Sequence, residues 1–180
     1  MQVEKCSLPI TLVGMMGSGK STVGRRLALA LGREFVDADR ELEARLNVPI
    51  PTIFELEGEA GFRKRESLLL DELSTRQGIV VATGGGVVLA QCNRELLRER
   101  TFVIYLKASL PELWLRLRHD KGRPLLRASN PRERIAELVQ ARDPLYDEVA
   151  HLEVLTSRQP VERLVVDIMS RIPESFRPGD

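Results

Sequence analysis

The chain has 180 residues, with 27 basic and 26 acidic side chains and a formal net charge of +1. That length suffices for one domain with a real core, and the balanced charge argues against a protein built around a nucleic-acid backbone. Two cysteines, Cys6 and Cys92, have no metal-ligand spacing to each other or to the two histidines, so they read as inert thiols of a reducing cytosol.

In chain order, Leu8-Pro9-Ile10-Thr11-Leu12-Val13 is a short apolar, β-branched run that reads as a buried strand. It is too short for a membrane span, and with Pro9 and no basic leader it is no targeting segment. The next eight residues, 14–21, read G-M-M-G-S-G-K-S, the G-x-x-x-x-G-K-S pattern of a phosphate-cradling loop. Val23, Leu27, Ala30 and Leu31 then recur at helical spacing until Gly32 offers a C-cap. Glu34-Phe35-Val36-Asp37 is a second short strand, and residues 40–46 form a brief helix. Residues 51–56 make a further turn or two of helix, and a longer one spans 59–77. Ile79-Val80-Val81-Ala82 is the third strand, followed by a glycine triplet and a helix over 93–100. Phe102-Val103-Ile104-Tyr105-Leu106 is the fourth strand.

Ser109 and Glu112 have capping-box spacing and open a helix. Residues 120–130 are cationic and lack periodicity, which makes them a candidate lid. Asn130-Pro131 restarts a helix, with Ile135, Leu138 and Val139 as its buried side. Residues 151–155 alternate like a fifth strand, residues 161–169 carry a last helical stripe, and 173–180 are expected to form a loose tail. Alternating strands and helices predict an α/β fold over residues 1–180, a single domain with a parallel sheet covered on both faces.

Strand, glycine loop and helix in that order are what phosphate binding requires. Backbone N–H groups turn inward and the helix N-terminus adds its positive pole. Lys20 would reach the β- and γ-phosphates and the Ser21 hydroxyl would ligate Mg²⁺. Asp37 and Asp39 sit at the carboxyl end of the second strand, where open α/β sheets bind ligands. Phosphoryl transfer needs a carboxylate for the metal and another to orient the attacking hydroxyl. The plainer use for Asp39 is as N-cap of a helix beginning at Arg40.

On the helix over 59–77, steps of 100° place Glu66 near the middle of the face made by Phe62, Leu69, Leu70 and Leu73. A carboxylate there is costly unless paired, and Arg63, three residues earlier, is the available partner. The pair is either purely structural or a brace through which Arg63 presents its planar fork to an anionic substrate. Gly84, Gly85 and Gly86 exceed the needs of a turn and would let a substrate touch bare backbone. In the candidate lid, Gly122 offers a hinge and Arg123 could close on the transferring phosphoryl group. As a plain cationic loop it would only be solvated.

Taken together, the run G-M-M-G-S-G-K-S-T-V-G-R-R-L-A, the D-A-D, the G-F-R-K-R-E, the G-G-G, the R-P-L-L and the R-D-P-L-Y resemble the shikimate kinase family. The resemblance implies a three-layer P-loop fold with a five-stranded sheet in order 2-3-1-4-5. It also implies transfer of the γ-phosphoryl of ATP to the 3-hydroxyl of shikimate, giving shikimate 3-phosphate in aromatic amino acid biosynthesis. By that likeness Gly17, Ser18, Gly19, Lys20, Ser21 and Thr22 hold the nucleotide, and Asp37 holds Mg²⁺ through water. Asp39 binds the shikimate hydroxyls and orients the attacking one. Arg63, braced by Glu66, and Arg142 clamp the carboxylate, while Gly84, Gly85 and Gly86 meet the ring. Arg123 is the lid arginine, and Arg116 and Arg158 fall where the family builds its adenine site. The expected partner is a small molecule, with no nucleic acid or membrane, and the enzyme is expected to be a cytoplasmic monomer. The alternatives are a kinase-like ligand-sensing module and a kinase for another small hydroxy acid.

Overall fold

A computed structural model describes residues 8–120, 129–156 and 159–177. Its five strands are β1 (Ile10–Val13), β2 (Glu34–Asp37), β3 (Ile79–Ala82), β4 (Phe102–Lys107) and β5 (Leu152–Leu155). They pair in parallel in the order β2-β3-β1-β4-β5, as the family resemblance implies. The sheet's interior strands are largely apolar because helices cover both faces: every residue of β1 and β3 is buried. Their carboxyl ends align, with Leu12 beside Ala82 and Val13 beside Tyr105. The loops after β1, β2 and β3 therefore open on one edge.

The helices are α1 (Lys20–Leu31), α2 (Ala38–Leu46), α3 (Ile50–Thr75), α4 (Gln91–Arg100), α5 (Leu110–Leu117), α6 (Pro131–Val149) and α7 (Val161–Arg171). Three apolar clusters hold them to the sheet. Leu27, Leu31, Leu164 and Ile168 cover one face from α1 and α7. Leu97, Leu113, Ile135 and Tyr146 cover the other from α4, α5 and α6. A third cluster joins Leu42, Ile53, Phe62 and Leu73 beneath α2 and α3. Each fully buried leucine contributes about 1.5–3 kcal/mol by leaving water.

Local signals set several helix ends. Gly32 takes a left-handed conformation (φ 63°) at the end of α1. The Glu112 carboxylate reaches back to the Ser109 N–H at 3.3 Å, and Asn130 accepts from the Glu133 N–H at 3.3 Å. α3 consists of the two helices expected there, joined across a kink at Gly58 (φ 70°, ψ −178°), a combination essentially reserved to glycine. A short 3₁₀ turn, Val87–Leu89, precedes α4 and was not expected.

Residues 173–177 correct the expected loose tail. Pro173 leads into a 3₁₀ turn, Glu174–Phe176, whose Phe176 is buried with its ring 4.9 Å from that of Phe102. Apolar burial ties down what composition alone suggests is free. Among the described residues no helix is long and apolar enough to cross a membrane. Cys92 is exposed and unpaired.

β5 is an edge strand fastened partly by a histidine. His151 donates its backbone N–H to the Val103 carbonyl at 2.9 Å, and its Nδ1 accepts from the Val103 N–H at 3.0 Å. That bond requires a neutral ring with the proton on Nε2. Burial, and secondarily the charge of Arg98, push the ring below its usual 6.5. The unfolded chain therefore binds this proton more readily than the folded one. Stability is complete above about pH 6.5 and falls as pH drops towards the folded value. We expect the His151 ring resonances to titrate below 6.5, with the Val103 amide losing exchange protection over the same interval. A titration at or above 6.5 would contradict this.

Candidate active site

β1 delivers the chain into the phosphate loop, whose Gly14, Gly17 and Gly19 all have positive φ. Gly17 is doubly constrained, since a Cβ there would also stand 3.0 Å from the Leu117 side chain. α1 begins at Lys20 with no side-chain cap, so its positive pole faces the loop. The Lys20 ammonium is buried inside, donating to the carbonyls of Gly14 and Met15, each at 2.9 Å. A cavity of about 320 Å³ opens here, lined by Gly17, Gly19, Lys20, Ser21 and Thr22 together with Asp37 and Asp39. Ser18 is buried in the loop with its hydroxyl unpartnered.

The Ser21 hydroxyl donates to Asp37 Oδ2 at 2.5 Å, and Asp37 Oδ1 accepts from the Arg40 N–H at 3.3 Å. This corrects the expected cap. α2 starts at Ala38, so Asp37 is its N-cap and Asp39 lies within its first turn. The chain reaches the helix two residues earlier than the apolar pattern indicated, because capping is decided by backbone geometry at the strand's end. No aspartate ends β3. Thr83 stands there instead, its hydroxyl donating to the Leu12 carbonyl at 2.9 Å.

A second cavity, of about 370 Å³, lies between α2, α3, α6 and the glycine triplet. Ile50, Pro51, Phe54 and Phe62 form an apolar wall, and Asp39, Arg63, Glu66 and Arg142 supply charge. Arg63 Nη1 bonds Glu66 Oε2 at 2.8 Å and Nη2 bonds Glu59 at 3.3 Å. Its guanidinium carbon stands 5.1 Å from the centre of the Phe62 ring. Glu66 is 6% exposed, and burial pushes its carboxyl up against the opposing pull of Arg63. Two polar atoms, Arg63 Nε and Glu66 Oε1, are buried with no hydrogen-bond partner. Unsatisfied groups of this kind cost about 1–3 kcal/mol each.

The triplet's glycines are set by the protein's own site as much as by any ligand. A Cβ at Gly84 would stand 2.7 Å from Glu66 Oε1 and 3.0 Å from Asp39 Oδ1. At Gly85 it would approach Met16 N at 3.2 Å and Arg142 at 3.6 Å, and at Gly86 it would overlap the Arg63 guanidinium. Bare backbone is needed so that four site side chains and the phosphate loop can close around it.

Met16, Asp39 and Gly85 line both cavities. Asp39 thus stands where an acceptor in one would face a phosphate in the other. Arg116 donates to the Gly17 carbonyl at 2.9 Å, which puts it against the phosphate loop. Arg123, Arg158 and nearly all the candidate lid lie outside the described residues. Sequence reasoning missed the apolar wall and Glu43, which lines the second cavity and accepts from the Ile50 N–H at 2.9 Å. It also gave no role to Tyr146, whose hydroxyl donates to the Gly85 carbonyl. The R-D-P-L-Y run was the available signal for that residue.

A family model for shikimate kinase matches residues 16–173. The shikimate kinase of Bordetella avium (strain 197N) is 56% identical over 165 residues, covering 92% of this chain and 79% of that protein. That of Nitrosospira multiformis is 51% identical over 170 residues, covering 94% of this chain and 87% of the other. Among solved structures, shikimate kinase from Acinetobacter baumannii in complex with shikimate aligns with a TM-score of 0.88. It is 46% identical, over 91% of this chain and 92% of that one. A gluconokinase from Sinorhizobium meliloti 1021 aligns over 93% of this chain and 92% of its own at TM-score 0.61. At 21% identity it shares the fold alone. Because the family model spans residues 16–173, nearly the whole domain, the chain belongs to the shikimate kinase family of ATP-dependent phosphotransferases.

Proposed function

We propose that this chain transfers the γ-phosphoryl of ATP to the 3-hydroxyl of shikimate, with the residues above in the following roles. The loop from Gly17 to Thr22 cradles the phosphates, and Lys20 neutralises charge as it develops on the transferring group. Arg63 and Arg142 receive the carboxylate in the second cavity, whose apolar wall faces the ring. Asp39 accepts from the attacking hydroxyl and aims it at the phosphate. Asp39's position on the lining of both cavities is the observation that carries this reading.

The Ser21 hydroxyl and Asp37 carboxylate, 2.5 Å apart beside the phosphate loop, form a hard oxygen set suited to Mg²⁺, which takes few protein ligands and keeps its waters. Held by Ser21 and, through water, by Asp37, the ion would supply charge neutralisation between the β- and γ-phosphates. The reading takes the enzyme as a cytoplasmic monomer whose partners are small molecules. A net charge of +1 supports the absence of nucleic acid among them.

The test follows ADP release from protein, ATP and Mg²⁺ with shikimate, gluconate or a nucleoside monophosphate as acceptor. Brisk release with shikimate alone is expected. Release with gluconate or a nucleotide but not shikimate would overturn the assignment.

The two aspartates are separable. Asp37→Asn keeps an oxygen for the α2 cap but loses the anionic partner of the metal. The Mg²⁺ concentration for half activity should rise about tenfold to hundredfold. Asp39→Asn should instead lower kcat about 10²–10⁴-fold at unchanged Mg²⁺ dependence. Identical Mg²⁺ curves for parent and Asp37→Asn would refute this division.

A further inference from the structure

Tyr146 lies on α6, one turn after Arg142, and is completely buried. Its hydroxyl donates to the carbonyl of Gly85, 61 residues away in sequence. The same hydroxyl lies 3.8 Å from the Met15 sulfur of the phosphate loop. Its ring packs on that of Tyr105, centroids 5.0 Å apart. With ring and backbone both held, the hydroxyl has one aim.

Gly85 lines both cavities, and a Cβ built on it would stand 3.2 Å from Met16 N and 3.6 Å from Arg142 Nη1. One hydroxyl therefore holds the backbone ridge between the two cavities, against which stands the arginine assigned to the substrate carboxylate. We infer that Tyr146 is a positioning residue for the acceptor, fixing the Gly85 backbone and the Arg142 guanidinium relative to each other so that carboxylate and hydroxyls are read at one spacing. This rests on the shikimate reading above and deepens it.

Nothing in packing alone demands the hydroxyl, since a phenylalanine would fill the same buried volume. What the oxygen adds is direction. Without it the Gly85 carbonyl loses its partner, and the ridge can tilt by a fraction of an ångström against Arg142. Misplacement on the order of 1 Å costs about a hundredfold in well-positioned sites.

Tyr105 provides a control on the same helix contact. Its hydroxyl donates to Asp143 Oδ1 at 2.6 Å, also securing α6, but touches neither cavity. The experiment compares Tyr146→Phe and Tyr105→Phe with the parent by thermal melting and by steady-state kinetics in each substrate. Tyr146→Phe should raise KM for shikimate roughly tenfold or more, with KM for ATP within about twofold of the parent. Tyr105→Phe should melt earlier yet leave both KM values unchanged. If Tyr146→Phe alters only melting temperature, or shifts both KM values equally, the hydroxyl is a structural bond and the inference falls. If the parent itself shows no shikimate-dependent ADP release, it is the substrate reading that fails. In that event Tyr146→Phe should bind shikimate no differently from the parent by calorimetry, which removes this inference as well.

Discussion

Lys20→Met should lower kcat about a hundredfold to a thousandfold while leaving the fold assembled, because it removes the one ammonium built into the phosphate loop. The side chain is 8% exposed, and its charge is held over the loop by the carbonyls of Gly14 and Met15. Methionine matches its length and flexibility, so the loop keeps its volume. Two carbonyls lose a charged donor, however, each bond being worth about 1.5–3 kcal/mol where water cannot replace it. A lower melting temperature should therefore accompany the kinetic loss. Saturating ATP should not restore the rate, since the missing interaction strengthens in the transition state. A variant that turns over at near parental rate would show that the loop acts without its lysine.

The second large effect concerns Arg63. Arg63→Ala should raise KM for shikimate far more than KM for ATP, at a cost of roughly 2–5 kcal/mol. On the proposed reading the substrate carboxylate loses its fork, and Glu66 loses the hydrogen bond on Oε2 while Oε1 is buried with no partner among the described residues. Glu66 is already raised above 4.5 by burial, and Arg63 is the largest influence holding it down. A group whose folded value is raised favours the native state below its unfolded value and costs stability as pH rises through the folded one. The Arg63→Ala protein should therefore lose least relative to the parent in mild acid and most near neutrality. Arg63→Lys should recover little of the shikimate KM, because a point charge cannot copy a planar fork that also lies against Phe62 and Gly86. Equal KM changes for both substrates in Arg63→Ala would remove Arg63 from the acceptor site.

The two halves of the site were unequally legible. The phosphate loop was plain because all its parts are local: glycines, lysine and serine lie within eight residues, between a strand and a helix. Glu66 was also visible from periodicity, since a carboxylate among leucines needs a partner within one helical turn, and Arg63 bonds it at 2.8 Å. The resemblance added Arg142, which the fold brings to the same cavity from the other side of the chain.

By itself, then, the sequence determined the alternation of strands and helices, the phosphate loop, several helix caps and the Arg63–Glu66 pair. These rest on hydrogen bonds and side-chain spacing over a few residues, which composition and period report directly. Only the tertiary structure decided that Asp37 rather than Asp39 caps α2, that Phe176 pins the expected tail, and that Asp39 and Gly85 border both cavities. It alone showed that Tyr146 reaches Gly85 and that the triplet's glycines yield space to Glu66, Arg142 and Arg63. Such contacts join elements far apart in the chain, and their geometry is set by how the sheet stacks the helices, a quantity that no local pattern carries.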